Sequence, residues 1–262
     1  SLYLYEVKKQ IMSGYGNTKS YLIPSIVIRS VMDIYNKRDY ELVIDICDKV
    51  LKDSHNYYSD ITRELTYWLC LALCRTQKEE RFYEEVKALD GADYWFLKGF
   101  FQRIATKYNS AENFLKKALE ISPSMQRAKR ELVTALLAQH RYPEALSLAK
   151  ENYERDSDNT YHMHAYFRCL VKKVNINRED IATLKELLDK MENSYSDKKE
   201  ELHMAMNIEF QANIKRKSPD EMLPLIRNAE KNFPSSVNIQ RAAHEYKLKQ
   251  AIVSKEVVFP ED

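Results

Sequence analysis

The chain has 262 residues, 31% of them charged, with a formal net charge of +2 and a pI near 8.1. That mixed-sign makeup describes a solvated surface and makes no demand for nucleic acid. Four glycines are too few for the hairpins, bulges and phosphate loops of a β-rich or α/β chain this long, and no apolar run approaches the roughly 20 residues needed to span a bilayer.

Ser1-Leu2-Tyr3 carries neither an initiator methionine nor a secretory signal, so the sequence is expected to be a piece of a longer or processed protein. The first twenty residues, with Gly14-Tyr15-Gly16-Asn17, read as a loop or part of a truncated helix. Apolar spacing then predicts helices near 21–36, 40–53, 60–76, 79–89, 92–106, 109–121 and 125–139. The series continues at 142–155, 159–174, 178–193, 198–216, 219–232 and 235–253. After Gly99 there is no glycine, and Leu, Lys, Glu and Ala favour helix throughout. Short connections make successive helices antiparallel neighbours. The tail Val257-Val258-Phe259-Pro260 cannot continue a helix and reads as extended or frayed.

A fixed period runs through the pattern. Tyr108 recurs as Tyr142 and Ala111 as Ala145, each 34 residues on, while Tyr40 and Val43 stand two such periods before Tyr108 and Ala111. Within residues 92–125, Trp95, Gly99, Ala111, Ala118 and Pro123 stand at the spacing of one repeat. On these residues the chain resembles the tetratricopeptide-repeat family. Residues 126–159 keep Tyr142 and Ala145 but place Val133 at the glycine position and Ser157 at the proline position. Residues 203–236 recover Ala229 and Pro234, out of phase.

The resemblance implies an all-α fold: a right-handed superhelical solenoid of about six antiparallel helix pairs, with 12–13 helices in one domain. The repeats at 92–125 and 126–159 match best, degenerate repeats cover 21–91 and 160–254, and a tail covers 255–262. It also implies a concave face lined by the second, fifth, ninth and twelfth positions of each first helix. Those are Asp93, Phe96, Phe100 and Arg103, then Arg127, Arg130, Thr134 and Leu137, then Tyr161, His164, Arg168 and Val171. The expected partner-binding set is Phe96, Phe100, Arg103, Arg127, Arg130, Tyr161, His164 and Arg168. Arginines between rings suit an acidic or aromatic-containing segment of a partner protein. Read as exposed, Arg130 and Arg168 should tolerate reversal to glutamate with little loss of stability. The Lys and Asn by which relatives clamp a chaperone's C-terminal carboxylate are replaced by Phe96 and Phe100, which argues against a chaperone adaptor.

No other motif carries chemistry. Cys47, Cys70, Cys74 and Cys169 form no CxxC pair and read as buried thiols in a reducing compartment, with cytoplasm the default. His162 and His164 fall on different helical faces, a poor metal pair. Gly14–Asn17 lacks the Lys-Ser/Thr of a phosphate loop, and Glu79, Glu80, Glu84 and Glu85 read as a solvated face. The expectation is a non-catalytic protein-interaction module without metal or cofactor. In its irregular, Tyr- and Lys-rich repeats the chain also resembles the C-terminal arrays of STAND-class signalling NTPases, which implies a sensor or scaffold region. The alternative, a nucleic-acid-binding helical repeat, has the arginines in its favour and the near-neutral charge against it.

Overall fold

The computed structural model describes residues 24–52 and 59–256, and these are helical with no strand among them. The elements are α1 (Pro24–Asn36), α2 (Tyr40–Lys52), α3 (Ser59–Arg75), α4 (Glu79–Glu85), α5 (Gly91–Ile104), α6 (Tyr108–Ile121) and α7 (Gln126–Ala138). They continue as α8 (Tyr142–Arg155), α9 (Thr160–Leu170), α10 (Arg178–Glu192), α11 (Lys199–Asn213), α12 (Pro219–Asn232) and α13 (Val237–Glu256). Each predicted helix has its counterpart. The glycine-containing N-terminal stretch, Tyr57-Tyr58 and the tail from Val257 lie outside the described residues.

The tyrosines that carry the sequence period are the first residues of second helices: Tyr40 opens α2, Tyr108 opens α6 and Tyr142 opens α8. Two residues before each, the backbone turns left-handed, at Arg38 (φ 67), Thr106 (φ 60) and His140 (φ 58); Gln77 (φ 55) does the same before α4. Each of these turns is closed by the same pair of bonds. Thr106 N–H donates to Arg103 O and Lys107 N–H to Gln102 O, the pattern of a Schellman cap, and it repeats at Arg38, Gln77 and His140.

Two predicted helices end four residues early. α4 stops at Glu85, tightens into a 3-10 turn over Val86–Ala88, and yields to extended backbone at Leu89 before Gly91 turns left-handed at φ 60. α9 stops at Leu170, not 174, because Lys172 and Lys173 N–H groups reach back three residues, to Cys169 and Leu170. Asn177 then begins α10 with a capping box: its side chain accepts from Asp180 N–H, and Asp180 accepts from Asn177 N–H.

The described helices form two compact units that divide between Ala135 and Leu136, inside α7. In the first unit α1, α3 and α5 pack side by side, with α2 against α3 and α6 against α5. Leu65, Leu69, Leu73, Leu97 and Leu115 are fully buried there, each supplying about 1.5–3 kcal/mol of transfer free energy. Phe82 stacks on Phe101 at 4.6 Å. Gly99 lets α5 lie against Leu115 of α6, where a Cβ would stand 2.7 Å from Leu115 Cγ. In the second unit α8 packs on α9, α9 on α10 and α11, and α11 on α12 and α13. Ile208, Met222, Ile226, Ile239 and Ala242 close its core.

Candidate functional site

In the first unit six aromatic residues form one continuous row. Tyr40 meets Tyr35 at 5.1 Å between centroids, Tyr35 meets Trp68 at 5.4 Å, and Trp68 meets Tyr67 at 6.1 Å. Tyr67 then stacks on Phe96 at 6.3 Å and Phe96 on Phe100 at 5.9 Å. Three guanidiniums lie over the row. Arg75 and Arg103 stand 4.8 and 5.1 Å from the Phe100 centroid, and Arg127 stands 5.5 and 5.2 Å from those of Tyr67 and Trp68.

The partners of these cations differ. Arg103 is paired with Glu131. Arg75 Nε donates to the Tyr35 hydroxyl at 3.2 Å, and Arg127 Nη1 to the Tyr67 hydroxyl at 2.8 Å. Burial pushes the Tyr67 hydroxyl up to about 12 against the pull of Arg127, so it stays protonated. Two arginines are thus oriented by neutral oxygens, which fix their planes and leave their charge uncompensated at contact distance. Asp93, at the edge of this face, is engaged by Arg63 at 3.2 Å, which also binds Asp90.

Phe96 and Phe100 are each 3% exposed, so an incoming group would meet the guanidiniums before the rings. Arg103, Arg127 and Arg130 are half-buried. The sequence projection did not reach Tyr35, Tyr67, Trp68 or Arg75. Their signal was present: Trp68 and Arg75 share the seven-residue spacing of Phe96 and Arg103, so each pair lies on one helical face.

The remaining projected residues belong to the second unit. Tyr161 is 43% exposed at the start of α9. His164 and Arg168 are buried in a charged cluster among α9, α11 and α13. Glu209, 2% exposed at its side chain, accepts from Arg241 at 3.3 Å and lies 3.9 Å from Arg168 Nε. Arg241 also reaches Glu245 at 3.9 Å and stands 3.5 Å from His164 Nε2, and Lys172 holds Glu245 at 2.6 Å. Burial, then the charges of Arg241 and Arg168, keep His164 well below the usual histidine range. Burial and Arg168 bring Arg241 down to about 10, against Glu209 and Glu245. Arg168 therefore corrects one expectation: it is only 11% exposed at its side chain, and reversing it would set a second carboxylate beside buried Glu209.

The four cysteines are free and buried; burial pushes Cys47 and Cys169 up to about 12 and raises Cys70 and Cys74 further. They are poor nucleophiles. Among the described residues no group of three His, Cys, Asp or Glu side chains could hold a metal ion, and no helix is long and apolar enough to cross a membrane.

A family model for the tetratricopeptide repeat matches residues 103–172, from the end of α5 to the turn after α9. Among solved structures the chain is similar to PilF of Pseudomonas aeruginosa, with 13% identity and a TM-score of 0.52 over 85% of this chain and 97% of that one. YrrB, described as a TPR protein with an unusual peptide-binding site, has 13% identity and a TM-score of 0.42, over 71% of this chain and 94% of its own. The Naa15/Naa10 assembly bound to HypK-THB has 13% identity and a TM-score of 0.41, over 88% of this chain and 35% of that one. The likeness to PilF bears on the fold, and the other two are too distant in shape to bear on anything further. No curated protein matches the sequence. Residues 103–172 thus match the tetratricopeptide repeat, and the helices on both sides of them continue an all-helical architecture similar in fold to a tetratricopeptide solenoid.

Proposed function

We propose that the chain is a non-catalytic protein-interaction module that takes an acidic segment of a partner protein on the arginine-covered aromatic row of its first unit. One observation carries the reading: Arg75 and Arg127 are aimed and held by tyrosine hydroxyls, with no carboxylate bonded to either among the described residues. A partner carboxylate would meet preset guanidinium planes, and the charge-assisted bonds so made are the strong ones. Arg103 and Arg130 widen the basic face, while buried Phe96 and Phe100 support it from below. In the second unit, Tyr161 offers an exposed ring, and His164 and Arg168 act by shaping the surface beside it. The likeness in style to STAND-class repeats supports placing the module in a cytoplasmic multidomain sensor or scaffold.

The test is affinity capture from an extract of the native host, comparing the wild type with an Arg75→Gln/Arg127→Gln variant of matched melting temperature. Partners bearing acidic segments should be lost from the variant. An unchanged set of captured proteins would move the site elsewhere. Single-stranded RNA at low salt is the counter-probe, and tight binding that fades with salt would favour the nucleic-acid reading.

A further inference from the structure

The second unit has a cavity of its own. The turn between α9 and α10, the C-terminal end of α11 and Lys249 of α13 border an open cavity of about 750 Å³. Four cations line it, Lys172, Lys173, Arg216 and Lys249, and no aspartate or glutamate does so among the described residues. Two of the four are compensated from behind. Lys172 is bound by Glu245 at 2.6 Å, and Lys173 by both oxygens of Asp180 at 2.7 and 3.0 Å. The other two are not: Lys249 bonds the Asn213 side-chain oxygen, and Arg216 has no carboxylate partner among the described residues. Four positive charges against two negative ones leave the cavity cationic.

The rest of the wall is mixed: Tyr142, Asn177 and Asn213 contribute polar groups, and a branched aliphatic patch lies among them. Ile176, Ile181 and Ile214 form that patch, with Val174 standing 89% exposed at the rim and the Asn175 amide beside it. A small, fully hydrated anion has no use for such a patch, whereas a peptide carrying a carboxylate next to a branched aliphatic side chain would use both. Asn175-Ile176-Asn177, in the turn that joins α9 to α10, supplies part of the cavity wall. Arg216 is set by another irregular turn, with its backbone left-handed at φ 49.

From this geometry we infer that the cavity between the α9–α10 turn and α13 binds an acidic peptide segment, its carboxylate held between Lys249 and Arg216 and its neighbouring aliphatic side chain against Ile176, Ile181 and Ile214. The electrostatics agree. Burial first, then the charge of Lys172 and, more weakly, of Arg216, hold the Lys249 ammonium below the usual lysine range, with Glu245 opposing them. A bound carboxylate would relieve that repulsion. The site is independent of the aromatic row, and either can fail without the other.

Full-length chain with labelled isoleucine methyl groups, titrated with acetyl-Ile-Glu-Asp and followed by NMR, tests this. Ile176, Ile181 and Ile214 should shift together and saturate, while Ile44 and Ile46 of the first unit stay fixed. The neutral acetyl-Ile-Gln-Asn amide should bind at least about tenfold more weakly, as expected for loss of a charge-assisted bond. Lys249→Gln and Arg216→Gln, both at exposed positions, should each weaken the acidic peptide about as much without changing the melting temperature. Absence of saturable shifts, equal binding of the neutral peptide, or unchanged affinity in both variants would overturn the assignment. So would inorganic phosphate shifting the same methyl groups at the same concentration, because that marks a general anion site.

Discussion

A methyl group at Gly99 would meet Leu115 Cγ at 2.7 Å and the Leu115 nitrogen at 3.1 Å, so rotating the leucine away cannot by itself make room. Gly99→Ala should therefore cost about 1–3 kcal/mol by overpacking, read as a lower urea midpoint at unchanged slope. At Arg168 the argument is electrostatic. Glu209 is buried, and among the described residues Arg168 and Arg241 are the cations paired with it, so Arg168→Glu should destabilise by about 3 kcal/mol or more. Urea unfolding near neutral pH separates this from the near-zero change of an exposed site. His164 sits against the same two arginines, and burial first, then their charges, depress its folded pKa. Above pH 6.5 neither folded nor unfolded chain protonates it, and its full contribution is present. As the pH falls below 6.5 the unfolded chain takes up a proton that the fold refuses, so stability is lost toward pH 5. The limiting slope is about 1.4 kcal/mol per pH unit. Glu245, also depressed, enters only below about pH 4.5. Urea unfolding at pH 7, 6 and 5 should show the slope, and His164→Gln should flatten it.

The helices were legible because an amphipathic period and polar breaks are local properties. The ends of α4 and α9 were less so: tightening into i−3 bonds at Val86–Ala88 and at Lys172–Lys173 is decided by what the next helix needs, not by the residues themselves. At α10 that need is met by Asn177 and Asp180, each satisfying the other's backbone N–H. Asn177→Ala should cost about 1 kcal/mol, measurable in the same urea series. Site geometry was legible only in part. Projection from one repeat located Phe96, Phe100 and Arg103, but it treated rings and arginines as neighbours along a groove. The structure layers them, rings beneath and guanidiniums above. That depends on α3, whose Tyr67, Trp68 and Arg75 fall in a repeat too degenerate to align by period alone.

Across the whole molecule, a net charge of +2 is too small to steer a partner at long range. Attraction must come from local concentrations of charge, which salt screens within about 10 Å at 0.1 M. Association of a captured acidic partner should slow about tenfold between 0.05 and 0.5 M salt; a stopped-flow rate indifferent to salt would argue for an apolar contact. A further consequence lies in the four Schellman turns. Glycine is the usual occupant of their left-handed position, yet the chain uses Arg38, Gln77, Thr106 and His140. Each holds a side chain in a conformation that costs an L-residue about 1–2 kcal/mol, and Thr106, β-branched, is the most strained. Thr106→Gly should then raise the melting temperature, by about 1 kcal/mol in stability after the added freedom of the unfolded chain is deducted. The same exchange at the other three turns would build a hardened background, in which charge reversals too damaging for the natural chain could be purified and assayed.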